Sequence, residues 1–214
     1  MEFYSVDFRW LGEVPYSEEE SLQTKLSEEV RQSGKGIILG LEHNPVITLG
    51  IRGDRKKDLL SEEEDIRQEG IGVIQVKRGG QTTLHSPGQL VIYSILPIRT
   101  WGLGPKRLIC LLEQTTIYLL NSHGIEVIHG QKEPGLFTHR GKIAFFGLRI
   151  DKGVSSYGLS LNVTNDLRLF HHICPCGRAN QPLDSMISQG VTDNTSKVFK
   201  SWCSYFERHL REQV

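Results

Sequence analysis

The chain has 214 residues, and its 25 Lys+Arg balance 25 Asp+Glu to a formal net charge of zero. That balance gives no electrostatic argument for nucleic acid or an anionic membrane as the main partner, and no stretch approaches the roughly 20 apolar residues of a membrane span. The first ten residues carry Glu2 and Asp7 and no basic region followed by an apolar run, so the expectation is a cytoplasmic chain whose thiols, Cys110, Cys174, Cys176 and Cys203, stay reduced.

Phe3 to Trp10 alternates aromatic and polar residues as a strand does. Ser17 and Glu20 have capping-box spacing and open a predicted helix that carries Leu22, Leu26 and Val30 and stops at Gly34. Gly36 to Glu42 and Val46 to Gly50 read as neighbouring strands joined by a turn at His43-Asn44-Pro45. Ser61 and Glu64 repeat the capping-box spacing before a short polar helix, followed by a strand at Gly72 to Lys77 and a long glycine-bearing loop at Arg78 to Gln89. Leu90 to Ile98 is another buried strand. Arg107 to His123 has helical spacing, with Leu108, Leu111, Leu112, Thr115, Tyr118 and Leu119 on one face and Gly124 as terminator. Strands at Ile125 to Ile128, Lys142 to Asp151 and Ser156 to Val163 precede an irregular stretch to Gly177. Asn194 opens a closing helix with Val198, Trp202, Phe206 and Leu210 at helical spacing. Without repeats, linkers or strict βαβ alternation, residues 1–214 are expected to form a single α+β domain with mixed β-sheets and flanking helices.

Chemistry concentrates in three stretches. Arg78-Gly79-Gly80-Gln81-Thr82-Thr83-Leu84-His85-Ser86-Pro87-Gly88-Gln89 gathers glycines and polar side chains that bring backbone N–H groups close to a ligand, or that simply cap a tight turn. It matches neither the phosphate loop nor the dinucleotide fingerprint. In Gly141-Lys142-Ile143-Ala144-Phe145-Phe146-Gly147 a lysine enters an apolar strand, either as a solvated strand end or as a buried amine usable as an acid or base. His171-His172-Ile173-Cys174-Pro175-Cys176-Gly177 packs two imidazoles and two thiols together. Zinc is the rival explanation there, but Cys-x-Cys is tighter than the usual knuckle and no second Cys/His pair lies at finger-like distance, so no metal site is expected. Cys110 and Cys203 fit small core residues on apolar helix faces, whereas a thiol on a proline-glycine turn is accessible, the condition for a nucleophile.

In this order and spacing the three stretches resemble the signature of the lipoyl(octanoyl) transferase family: an Arg-Gly-Gly…Thr-x-His-x-Pro-Gly-Gln loop, a Gly-Lys-Ile-Ala strand and a Pro-Cys-Gly turn. The likeness extends to His43-Asn44-Pro45-Val46 and Gly158-Leu159-Ser160-Leu161-Asn162-Val163. Two positions differ from the pattern, with Tyr157 where a histidine is usual and Cys174 where an asparagine is usual.

The resemblance implies an α+β fold like the catalytic domains of biotin and lipoate protein ligases. It also implies octanoyl transfer from octanoyl-acyl carrier protein to lipoyl domains of 2-oxoacid dehydrogenase complexes and the glycine cleavage H protein. Cys176 is then the acylated nucleophile and Lys142 its acid/base partner. Arg78, Gly79, Gly80, Gln81, Thr82, Thr83, Leu84, His85, Phe145, Phe146, Gly147, Gly158, Leu159 and Ser160 line the acyl site, and no cofactor is needed. The alternatives are an ATP-dependent lipoate or biotin ligase, an amidotransferase acting between lipoyl domains, and a non-catalytic zinc or lipoyl-domain binding module.

Overall fold

The computed structural model describes residues 4–130, 134–177 and 181–212, with Cys176 described by its main chain. In chain order the elements are β1 (Val6–Glu13), α1 (Glu19–Ser33), β2 (Gly36–Glu42), β3 (Val46–Leu49), α2 (Arg55–Asp58), α3 (Glu63–Gln68), β4 (Gly72–Gln75) and β5 (Thr82–His85). They continue with β6 (Gln89–Ile95), α4 (Pro105–Ser122), β7 (Ile128–His129), β8 (Leu136–Phe137), β9 (Lys142–Asp151), β10 (Val154–Asn162) and α5 (Thr195–Arg211). A seven-stranded mixed sheet runs β1-β2-β6-β10-β9-β8-β7, and a three-stranded sheet runs β4-β3-β5. The architecture is the expected α+β class with mixed sheets and flanking helices.

Alternation along the central strands builds two layers. One face of the large sheet sends Ile38, Leu90, Ile92, Leu159 and Leu161 into a core shared with Leu108, Leu112 and Leu119 of α4 and Val198, Trp202 and Phe206 of α5. The opposite face presents Leu39, Leu41, Val91 and Tyr93 to Leu26 and Val30 of α1. The small sheet extends that second layer: Ile47 and Leu84 pack with Ile66, Phe145, Phe170 and Ile173. The site lies on the second layer, where α1, the small sheet and the strands β6, β10 and β9 meet.

Several expectations hold closely. The strand at Lys142–Asp151 has the expected bounds, as does the strand at Gly36–Glu42, and Asn194 caps α5 by accepting the N–H of Lys197 at 2.9 Å. Gly34 closes α1 at φ 69°.

Others need correction. Neither Ser17 nor Ser61 serves as the expected cap: α1 follows a 3₁₀ turn at Tyr16–Glu18, and Ser61 bonds His172 instead. The strands at Gly36–Glu42 and Val46–Leu49 are not neighbours, since the break at Pro45 carries the chain from the large sheet to the small one. The stretch Arg78 to Gln89 is not all loop, because pairing with β3 makes Thr82–His85 a strand. Of Ile125 to Ile128 only Ile128 is in a strand. On α4, Tyr118 is exposed while Thr116 and Leu120 are buried, which rotates the apolar face from the expected one. Cys110 is exposed rather than packed in the core. Among the described residues, no helix is long and apolar enough to cross a membrane.

Candidate active site

Two rows of residues form the floor of a cavity. Val91, Ser160 and Phe145 stand opposite one another on β6, β10 and β9, and two residues along stand Tyr93, Gly158 and Gly147. A two-residue step returns to the same face of a sheet, and all six line the cavity. The non-protein space in and around it, open solvent included, is about 530 Å³. The walls come from Tyr16, Tyr157 and the Arg78 loop with β5, through Arg78, Gly80, Gln81, Thr82, Thr83 and His85. Leu159 and Phe146 also border it, although their side chains join the large core. Gly79 and Leu84 lie off the wall: Gly79 donates its N–H to Leu148 at 3.0 Å, and Leu84 packs with Ile47 and Phe145.

The Arg78 guanidinium is buried and directed at the protein itself. It donates to the carbonyl and hydroxyl of Thr48, both at 2.8 Å, and to the carbonyls of Gly79 and Gln81 at 3.1 and 2.8 Å. These charge-assisted bonds fix the loop against the end of β3.

His85 is buried with its Nδ1 2.7 Å from the Gln89 Oε1, and its ring stacks near Tyr16 at 6.1 Å. Burial pushes its pKa down to about 3, with His43 acting in the same direction and the Gln89 bond opposing. His43 donates from Nδ1 to the Val14 carbonyl at 2.7 Å, since a carbonyl only accepts, which leaves Nε2 to accept the Tyr93 hydroxyl at 2.7 Å. Burial lowers its pKa to about 4. Both imidazoles are therefore neutral hydrogen-bonding groups near pH 7.

A buried polar chain runs from His85 to the lysine strand. Gln89 donates from Nε2 to Asn162 Oδ1 at 2.9 Å, Asn162 donates to the Asp184 carbonyl at 3.0 Å, and the Asp184 N–H donates to the Lys142 carbonyl at 3.0 Å. Lys142 is wholly buried, which excludes the solvated strand end. Its Nζ sits 4.9 Å from the centre of the Phe145 ring and 5.4 Å from that of Phe137, positions where the ring faces favour a cation. Because Phe145 lines the cavity, the Lys142 Nζ lies against one of its lining residues.

The Pro175–Gly177 segment is a 3₁₀ turn held by two main-chain bonds, from Cys174 N to Asp58 O at 2.8 Å and from Gly177 N to Cys174 O at 3.0 Å. The Cys176 side chain lies outside the described atoms. Gly177 has φ 75°, and a Cβ there would meet Gln81 Nε2 at 2.4 Å, so the turn abuts the cavity wall. Cys174 is buried, and burial followed by the neighbouring Asp58 raises its thiol pKa. Cys203 is half-buried on α5, where burial raises its pKa to about 12.

The structure thus brings twelve of the fourteen residues expected to line an acyl site to one cavity, with Lys142 and the Cys176 turn at its edge. Sequence reading misses Tyr16, Val91 and Tyr93, whereas Tyr157, which stands where the resembled family usually has a histidine, lines the cavity. Alternation alone could have found Val91 and Tyr93, which share a face of β6; nothing local in sequence points to Tyr16.

Residues 15–201 match the family model described as the lipoyl protein ligase A/B catalytic domain. An octanoyltransferase of Halorhodospira halophila is 38% identical over 184 residues, covering 86% of this chain and 82% of its own. Among solved structures, a lipoate-protein ligase A bound with ATP superposes with a TM-score of 0.75 at 14% identity, covering 97% of this chain and 86% of that one. A biotin protein ligase of Aquifex aeolicus superposes with a TM-score of 0.53 at 12% identity, covering 99% and 71%. The structural likenesses establish the fold, and with the family model and the sequence relative the conclusion is direct: the chain belongs to the lipoyl protein ligase A/B catalytic domain family.

Proposed function

We propose that residues 1–214 act as one cytoplasmic octanoyltransferase domain, which moves an octanoyl group from octanoyl-acyl carrier protein to a lysine of lipoyl domains through a thioester on Cys176. The observation that carries this reading is the convergence of the Arg78 loop, the Lys142 strand and the Cys176 turn on one cavity floored by aromatic, aliphatic and glycine positions. Such a floor suits an uncharged acyl chain. The relative named octanoyltransferase supports the same reading.

In the first step the Cys176 thiolate attacks the thioester carbonyl; a new C–S bond forms, and the carrier leaves as a thiolate that takes up a proton. In the second, a neutral lysine amine of the lipoyl domain attacks the enzyme thioester, loses a proton, and expels Cys176 as the amide forms. The Lys142 ammonium stabilises the thiolate, and its neutral form accepts the proton of the incoming amine. Exchange between thioesters is nearly isoenergetic and amide formation is downhill, so neither step needs ATP. Lipoyl domains of 2-oxoacid dehydrogenase complexes and the glycine cleavage H protein are the recipients.

Intact-mass measurement after incubation with octanoyl-carrier protein, without ATP, tests the reading. We expect an octanoyl adduct that is absent from Cys176→Ser. Product formed only from free acid and ATP would assign the chain to ligation, and octanoyl uptake only from an octanoylated lipoyl domain would assign it to amidotransfer.

A further inference from the structure

Outside the cavity, one cluster combines ligand chemistry with an unsatisfied buried atom. Glu69, His171 and His172 each offer one ligand atom, and these atoms all lie within 4.8 Å of one another. The two imidazoles are consecutive in the 3₁₀ helix Leu167–His172, and their rings lie side by side with centroids 3.7 Å apart. Glu69 caps the C-terminal end of α3.

Both rings are oriented from behind. His171 Nδ1 donates to the Arg168 carbonyl at 2.7 Å, and His172 Nδ1 lies 2.8 Å from the Ser61 hydroxyl. At His172 this is the outer arrangement that fixes a metal-binding imidazole and leaves Nε2 for the ion. His172 is only 2% exposed, and its Nε2 is buried without a hydrogen-bond partner. A Glu69 carboxylate oxygen stands 3.2 Å from that nitrogen, at ion-pair distance but without hydrogen-bond geometry. A buried Nε2 facing a carboxylate oxygen is reconciled by a cation shared between them, either a proton on the imidazole or, with His171 as a third donor, a metal ion.

We propose that Glu69, His171 and His172 form a binding site for one divalent transition-metal ion of the zinc class. Two imidazoles and a carboxylate are a borderline donor set: thiolate-preferring ions lack sulfur there, and magnesium or calcium would take all-oxygen ligands. Zinc bonds of 2.0–2.2 Å place tetrahedral ligand atoms about 3.4 Å apart. The His172–Glu69 separation already meets this, and the exposed side chains of Glu69 and His171 are free to close the remainder. The fourth position, on the exposed side, takes water. Among the described residues, Cys174 is not part of this donor set.

The ion would join α3 to the segment entering the Cys176 turn, where the main chain is already tied by Leu60 N to His172 O at 2.8 Å and by the bridge of Leu59 to Ile173. It would act as a staple there, independent of the acyl chemistry.

The test uses the tag-free full chain dialysed against zinc and, separately, titrated with cobalt(II). We expect one equivalent of zinc retained, cobalt visible bands of a tetrahedral nitrogen–oxygen site without sulfur charge-transfer absorption, and a higher melting temperature with zinc. Glu69→Gln or His171→Ala should weaken binding by more than the roughly 10–100-fold that loss of an outer partner costs, and the double variant should lose the zinc-dependent rise in melting temperature while keeping its metal-free value. Zinc retention no greater than in the double variant would overturn the proposal. A sulfur charge-transfer band at the first equivalent of cobalt would equally overturn it, by assigning the ion to the thiols.

Discussion

The side-chain carbonyl of Gln23 on α1 accepts the main-chain N–H of Tyr157 at 2.6 Å, and Tyr157 is held at φ 59°. A bulky residue at positive φ is strained, and here the strain has a visible result. Leu159 and Leu161 point into the large core, but Tyr157, of the same parity, packs in the opposite layer with Val91 and Tyr93. The left-handed residue turns the tyrosine onto the cavity wall, and Gln23 holds it there.

Removing that tether should therefore matter only while the strain exists. Gln23→Ala is expected to cost about 1–2 kcal/mol of stability in urea unfolding, through the lost hydrogen bond and the exposed donor. In a Tyr157→Gly background the same change should cost measurably less. Strict additivity in this double-mutant cycle would refute the tether.

Glu19, 3% exposed beside Gln23, has its pKa pushed up to about 7 by burial. Because the folded value exceeds the ordinary 4.5, its effect is absent below about 4.5. Stability then falls as pH rises through about 7, by roughly 3 kcal/mol when fully developed. Denaturant titrations at pH 5 and pH 8 should show this loss in the wild type and a smaller one in Glu19→Gln. Equal pH dependence in both would remove Glu19 as its source.

If the Lys142 ammonium stabilises the Cys176 thiolate, Lys142→Met, which keeps most of the buried volume, should shift the iodoacetamide reactivity profile of Cys176 to higher pH by about one unit or more. Acyl transfer should fall at least tenfold. An unmoved alkylation profile would leave Lys142 as a buried core residue only.

Two glycines should separate folding from rate. A Cβ at Gly158 would stand 2.3 Å from the Ile92 carbonyl, so Gly158→Ala forces backbone movement and should cost about 1–3 kcal/mol. At Gly177 the obstructing atom is the flexible end of Gln81, and the residue lies on a surface turn. Gly177→Ala should cost the roughly 1–2 kcal/mol of a side chain at φ 75° with no backbone clash added, and should lower the rate of enzyme acylation several-fold. The reverse ranking in melting temperature would contradict this assignment.

The fold is readable in the sequence where apolar pattern is dense, as in Lys142–Asp151, whose apolar run between Gly141 and the charged Arg149 to Asp151 end reads as a strand. It is not readable at Thr82–His85, a four-residue polar strand that exists because β3 pairs with it. Cys176 is conspicuous locally as a thiol on a proline-glycine turn. Lys142 is not, since the same strand end would look identical if solvated; its burial comes from distant chain at Gly135 and Phe137 and from the strand-like pairing to Pro182 and Asp184. Tyr16 reaches the cavity from an N-terminal turn whose own sequence says nothing of it.

The low pKa values of His43 and His85 separate two processes that often share one pH profile. Neither imidazole changes protonation between about pH 5 and 8, where an ordinary histidine titrates. Arg78 keeps its charge throughout, and burial drives the Tyr16, Tyr93 and Tyr157 hydroxyls upward, away from that range. The cavity lining is thus electrically constant across physiological pH. The buried charge that does change over this interval is Glu19, which stands behind the lining at Gln23 and Tyr157, so a pH dependence of acyl-chain occupancy between pH 5 and 8 should disappear in Glu19→Gln, leaving turnover to follow the thiol and amine that exchange protons.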